Sequence, residues 1–120
     1  MMNIHESAED YLEAILMLKR EKGFSRSVDI AAMLNVTKPS VSFAMKRLRE
    51  NGYITMNEES LITLTEKGEE IAARILDRHE TLSRFLEQLG VDAQTAREDA
   101  CKIEHDISDA TYAAIKRQLK

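Results

Sequence analysis

The sequence predicts a mainly helical fold in which one short β-hairpin separates two groups of helices. Three observations carry that expectation. Gly and Pro are scarce (4 and 1 in 120 residues) and charged residues make up 32% of the chain; this is the composition of a helix-rich globular protein. Apolar residues recur every three to four positions in successive segments that open on Ser, Thr or Asp. The pattern changes once, where "YITM" and "LITL" form two β-prone runs. At 120 residues, the length allows one compact domain, or a small domain with an appendage. With 43% hydrophobic residues, only 5% aromatic and no Trp, the core rests on aliphatic and Met side chains.

Each element follows from local chemistry. Ser7-Ala8-Glu9-Asp10 resembles a capping box, and Tyr11, Leu12, Ile15, Leu16 and Leu18 follow helical spacing, so a first helix is expected over about 7–21, ending near Gly23. "SRSVDIAAMLNV" predicts a short second helix with Ser27 as N-cap, Ile30, Ala31 and Leu34 inward, and a tight break at Asn35-Val36. "TKPSVSFAMKRLRENG" predicts a third, with Thr37 as N-cap, Pro39 in the first turn and Asn51-Gly52 as the stop. The two β-prone runs flank the polar turn Asn57-Glu58-Glu59-Ser60 and read as a hairpin. Thr65 caps a long fourth helix over about 66–89, with Ile71, Ile75, Leu76, Leu82, Phe85, Leu86 and Leu89 on its apolar side and Gly90 at its end. Asp92 caps a fifth helix reaching about His105, and Ser108 a sixth that runs to the end. The domains expected are 1–70 and 71–120. There is no internal repeat, low-complexity tract or evident linker.

Composition narrows the function. No apolar run approaches the roughly 20 residues of a membrane span, and the N-terminus lacks a basic region and a small-residue cleavage site, so no signal peptide is expected. A single Cys excludes an intrachain disulfide framework and fits a reducing cytoplasm. Net charge is −4, but its distribution is uneven. Residues 1–56 carry eight Lys/Arg against seven Asp/Glu, and residues 57–120 nine against fourteen. Within 38–49 stand Lys38, Lys46, Arg47 and Arg49 with no acid. A basic helix on an acidic body suits phosphate binding and leaves carboxylates to hold cations.

Helix, short helix, tight turn, helix and hairpin is the order of a winged helix-turn-helix. On the third helix Val41, Ala44, Met45 and Leu48 form the inward stripe. Thr37, Lys38, Pro39, Ser40, Ser42, Phe43, Lys46 and Arg47 occupy the other side and the first turn, with Ser27 opening the helix before it. Small hydroxyls reach bases or phosphates, Pro39 and Phe43 suit a thymine methyl, and Lys38, Lys46 and Arg47 suit phosphates. An ordinary amphipathic helix with a solvated basic face shows much of the same pattern. It is the preceding short helix and the following wing that point to double-stranded DNA. A winged helix that binds another protein is the competing interpretation.

The second half is rich in ligand-type residues. Cys101, Glu104 and His105 stand at i, i+3 and i+4 in "ACKIEHD", gathering S, O and N donors on one helical stripe. Asp10 and Glu13 are i and i+3 on the first helix, and His79 lies midway along the fourth; helices of a bundle build metal sites from such donors. Each has a plain alternative: Asp10 as a capping-box member, Glu13 and Glu104 as solvated carboxylates, His79 as a surface histidine, Cys101 as a small buried apolar residue.

"SAEDYLEAI", "TKPSVSFAMKRLRENGYI", "LTEKGEEIA", "RHETLSRFLEQLGVD" and "DACKIEHDIS" together resemble the family of iron- and manganese-dependent repressors typified by the diphtheria toxin repressor. The resemblance covers essentially the whole chain. It implies a winged helix-turn-helix DNA-binding domain followed by a helical dimerisation domain, a homodimer on a palindromic operator, and a divalent metal, Fe(II) or Mn(II), as corepressor between the two domains, with one or two ions per subunit. Carried over by position, the implied ligands are Asp10, Glu13, His79, Cys101, Glu104 and His105. The set is a hybrid. Asp10 and Glu13 match manganese-type members, which have a glutamate at the place of Cys101. Iron-type members have the cysteine but a methionine at the place of Asp10. The Glu and second His of the iron-type ancillary site are replaced by Ser83 and Arg97. A thiolate shifts preference toward softer, later ions, while Asp, Glu and His suit Mn(II) and Fe(II). The SH3-like third domain of iron-type members has no counterpart in these residues, which implies the two-domain organisation or a piece of a longer chain. Alternatives from the residues themselves are a metal-independent winged-helix regulator sensing a small molecule and a metalloenzyme. The sequence holds no Ser/His/Asp arrangement and no Gly-rich phosphate loop, so no enzymatic activity and no small organic substrate are expected.

Overall fold

The computed structural model describes residues 3–119, with side chains from Ala8 onward. It contains α1 (Asn3–Lys22), α2 (Ser27–Leu34), α3 (Lys38–Glu50), β1 (Ile54–Met56), β2 (Ile62–Leu64), α4 (Glu66–Gln88), α5 (Ala93–Ile103) and α6 (Asp109–Gln118). The chain packs as two compact units, the first reaching Ala73 and the second beginning at Arg74. Among the described residues no helix is long and apolar enough to cross a membrane.

In the first unit α1, α2 and α3 pack on one another, and α1 and α3 also pack on the hairpin. The core is Leu12, Ile15 and Leu18 from α1, Ile30 and Ala31 from α2, Val41, Met45 and Leu48 from α3, and Ile54 and Ile62 from the strands. Two expected helix starts are corrected. The first helix begins at Asn3, four residues before Ser7, whose side chain lies outside those described; no Pro or Gly stands between Asn3 and Ser7 to stop the helix extending backward. Ser27 is the first residue inside α2 rather than its cap. Arg26 takes the cap position with an extended backbone and no side-chain cap bond, its carbonyl accepting from Asp29 and Ile30 N–H. Asn35 ends α2 in the left-handed region at φ 55°, a conformation Asn tolerates better than most residues.

Other signals operate as expected. Thr37 caps α3, its hydroxyl accepting from Ser40 N–H at 3.2 Å. β1 and β2 pair antiparallel, Ile54 with Leu64 and Met56 with Ile62, and exposed Thr55 faces Thr63. In the wing turn the Asn57 side-chain oxygen accepts from Glu59 and Leu61 N–H, leaving Glu58 and Glu59 exposed at the tip. Thr65 joins wing to α4: its hydroxyl donates to Gly52 O at 2.7 Å and accepts from Gly68 N–H at 3.2 Å. Gly68 is required by proximity, since a Cβ there would stand 2.1 Å from Tyr53 O.

In the second unit Ile75, Leu76 and Leu82 of α4 and Ala96 and Ala100 of α5 are buried. Leu89, expected on the apolar side of the fourth helix, lies past its end and is 66% exposed. α5 stops at Ile103, two residues before the predicted end, and residues 104–106 form a turn. Asp92 and Ser108 cap α5 and α6 through Thr95 and Thr111 N–H. No residue of α6 is buried. Polar ties hold it: Tyr112 donates to Asp77 and, at 3.1 Å, to Thr81, and Lys116 reaches Asp77 at 3.1 Å. The Tyr112 hydroxyl and then Lys116 hold the Asp77 carboxyl below its ordinary value, against the opposing effect of burial.

Candidate metal centre and nucleic-acid interface

Three of the six predicted ligand residues come together in the second unit. His79 of α4, Cys101 of α5 and Glu104 just beyond α5 each place a ligand atom within 4.8 Å of the others. Cys101 and Glu104 are brought to one side by the helical stagger of i and i+3, and the backbone at Glu104 keeps right-handed helical angles although α5 has ended. Glu104 is fully buried. Its Oε1 is hydrogen-bonded to His79 Nδ1 at 2.9 Å. Its Oε2 is buried with no hydrogen bond, 3.4 Å from His105 Nε2 but without hydrogen-bonding geometry. The His105 ring is itself buried. Cys101 is exposed, which removes the interpretation of its thiol as a small core residue.

These residues fit a divalent transition metal. Atoms bound to one ion at roughly 2.0–2.3 Å stand about 3–4.6 Å apart, close to the spacing here. A buried carboxylate oxygen without a donor costs free energy that a cation would relieve. The N, O and S set accommodates Mn(II), Fe(II) and the later ions, and the thiol must lose its proton to join it. Asp10 and Glu13 lie one turn apart on α1, Asp10 half-buried and Glu13 buried. Of the two residues at iron-type ancillary positions, Ser83 is buried and Arg97 exposed.

The first unit carries the residues predicted for the nucleic-acid interface. Thr37, Lys38, Pro39, Ser40, Ser42, Phe43, Lys46 and Arg47 are all exposed, and Ser27 is half-buried. Phe43 is 63% exposed, with the Arg47 guanidinium 5.6 Å from its ring centre. The Thr37 hydroxyl is committed to its cap and to donating to Ser40 Oγ at 2.9 Å. Two cations left out of the predicted set adjoin it. Arg26 and Arg49, with Ser27, Ser42, Lys46 and the wing residues Met56 and Ser60, line a cleft of about 440 Å³. Arg49 was within reach of sequence reasoning, since Ser42, Lys46 and Arg49 fall at i, i+4 and i+7. No local signal marked Arg26.

Comparison with known proteins agrees with both halves. Residues 3–60 match the family model described as the iron dependent repressor N-terminal DNA binding domain, and residues 65–120 the one described as the iron dependent repressor metal binding and dimerisation domain. An HTH-type transcriptional regulator of Methanocaldococcus jannaschii is 42% identical over 113 residues, covering 92% of this chain and 90% of that protein. The transcriptional regulator MntR of Bacillus subtilis is 40% identical over 102 residues, 85% of this chain and 72% of that one. Among solved structures, IdeR of T. acidophilum superposes with a TM-score of 0.83 at 29% identity, and the manganese regulator SloR with 0.81 at 27%. This chain covers 92% of itself and 52% of each of those structures, so it spans about half their length.

A winged helix-turn-helix joined to a helical unit in which ligand-type side chains converge matches the class of metal-dependent, DNA-binding transcriptional regulators. The chain belongs to the iron-dependent repressor family, whose members include iron- and manganese-responsive regulators.

Proposed function

We propose that this chain is a homodimeric repressor of metal-homeostasis genes that binds a palindromic operator in the cytoplasm when loaded with Fe(II) or Mn(II), and that it is no enzyme. The observation that carries the proposal is the convergence of His79, Cys101 and Glu104, in a chain whose other unit exposes a basic reading helix. Asp10, Glu13 and His105 are the further ligands, by resemblance to the family. The residues up to about 70 serve DNA binding and the remainder metal binding and dimerisation. The bound cation supplies positive charge that neutralises the Glu104 carboxylate and the Cys101 thiolate. Two α3 helices, one per protomer, enter successive major grooves about 34 Å apart. Pro39 and Phe43 meet base edges, the Ser40 and Ser42 hydroxyls bases or phosphates, and Lys38, Lys46 and Arg47 phosphates.

The test is operator affinity against metal concentration, followed by fluorescence anisotropy on a palindromic duplex recovered by selection. Mn(II) or Fe(II) should tighten wild-type binding about 5–150-fold, the usual span of such coupling. His105→Ala should lose that response while keeping metal-free affinity. Wild-type affinity indifferent to chelation would sink the proposal.

A further inference from the structure

Arg78 precedes His79 on α4 and is buried, 4% exposed. A guanidinium withdrawn from water is tolerated only where its donors are engaged. Here Nη1 donates to Glu104 O at 3.1 Å and Ile107 O at 2.9 Å, Nη2 donates to Asp109 Oδ1, and the guanidinium carbon lies 5.1 Å from the Tyr112 ring centre. The two carbonyls belong to the segment just past α5, where main-chain oxygens have no helical partners of their own. Asp109 opens α6. Arg78 thus closes the end of α5 and ties it to the start of α6.

The residue it holds most directly is Glu104. Arg78 grips Glu104 by its main-chain oxygen, and the adjacent His79 grips it by its carboxylate. Two successive residues of α4 therefore fix one residue by its main chain and by its carboxylate. Only a planar fork serves two carbonyls and a carboxylate at once; a lysine ammonium is a single point.

We infer that Arg78 is a positioning residue of the metal centre: it touches no ligand atom of an ion, but holds the 104–107 turn so that Glu104 and His105 present their donors. The inference rests on the metal-binding proposal above and deepens it. Groups that orient metal ligands commonly change affinity by about 10–100-fold when altered.

The experiment titrates the reduced full chain with Co(II), following the cobalt absorption bands and the heat of binding, alongside thermal unfolding without metal. Arg78→Lys should weaken Co(II) binding about 10-fold or more and alter the spectrum. Asp109→Ala, which removes the carboxylate from the guanidinium but leaves the carbonyl bonds possible, should move affinity the same way by less, and it serves if Arg78→Lys folds poorly. Tyr112→Phe loses the bonds to Asp77 and Thr81 but keeps the ring by Arg78; it should lower thermal stability and leave Co(II) affinity within about twofold. Wild-type affinity and spectrum in both Arg78→Lys and Asp109→Ala would overturn the inference, whatever their stability. A wild-type chain that binds no Co(II) would overturn the metal proposal as well.

Discussion

Glu104 and Gly68 show how single residues set the two units. Glu104 was found through its spacing from Cys101 and His105. Its complete burial and its shared bond with His79 were not visible there, because they depend on α4, 25 residues away. Arg78 carried no signal at all, since two of its partners are main-chain carbonyls 26 and 29 positions on. Gly68 is the stronger test of packing. In an ordinary helix, Gly→Ala stabilises by up to about 1 kcal/mol. At Gly68 the added methyl meets Tyr53 O, an atom of the main chain that cannot swing aside. Gly68→Ala is therefore expected to destabilise by about 1–3 kcal/mol, read as a lower urea midpoint. A stabilised variant would show that the wing and α4 do not meet this closely.

At the scale of elements, what was legible follows local rules. Thr37, Asp92 and Ser108 cap α3, α5 and α6 as their residue types dictate, and the hairpin falls on its β-prone runs. What was not legible lay where local rules are permissive. The start of α1 had nothing to stop it at Ser7, and the short α2 is capped by Arg26, a poor capping type. The functional face of α3 was read from its stripe, but the cleft it forms with α2 and the wing needed their packing. That cleft brings Lys46 and Arg49 to one side. Lys46→Ala and Arg49→Ala should each weaken binding on all duplex sequences alike. Each should also flatten the slope of log affinity against log salt by about 1, as one fewer counterion is released. An unchanged slope would remove that residue from the phosphate contacts.

For the whole molecule, two units with different chemistry share one chain, and their stability should answer differently to pH. α6 is tied to α4 through Asp77, whose carboxyl is held below its ordinary value by Tyr112 and then Lys116. A group depressed in the folded state stabilises above its unfolded value, near pH 4, and loses that effect as pH falls through the folded value. Lys116 is raised, chiefly by its hydrogen bond to Asp77, so its share is present at neutral pH and fades as pH rises through the folded value. The difference in melting temperature between wild type and Asp77→Asn should therefore be largest near neutrality and shrink toward pH 3. A difference that stays constant over that range would show the tie to be independent of the charge on Asp77.

The wing tip adds a consequence for how the first unit meets its target. Lys38, Lys46, Arg47 and Arg49 stand on α3 with one acid, Glu50, at its last residue, while Glu58 and Glu59 lie exposed in the turn of the hairpin. A polyanion therefore draws one part of the unit and repels another, and a body so divided experiences a torque as well as an attraction. The two carboxylates of the hairpin turn therefore oppose an approach that presents that turn to a polyanion before α3.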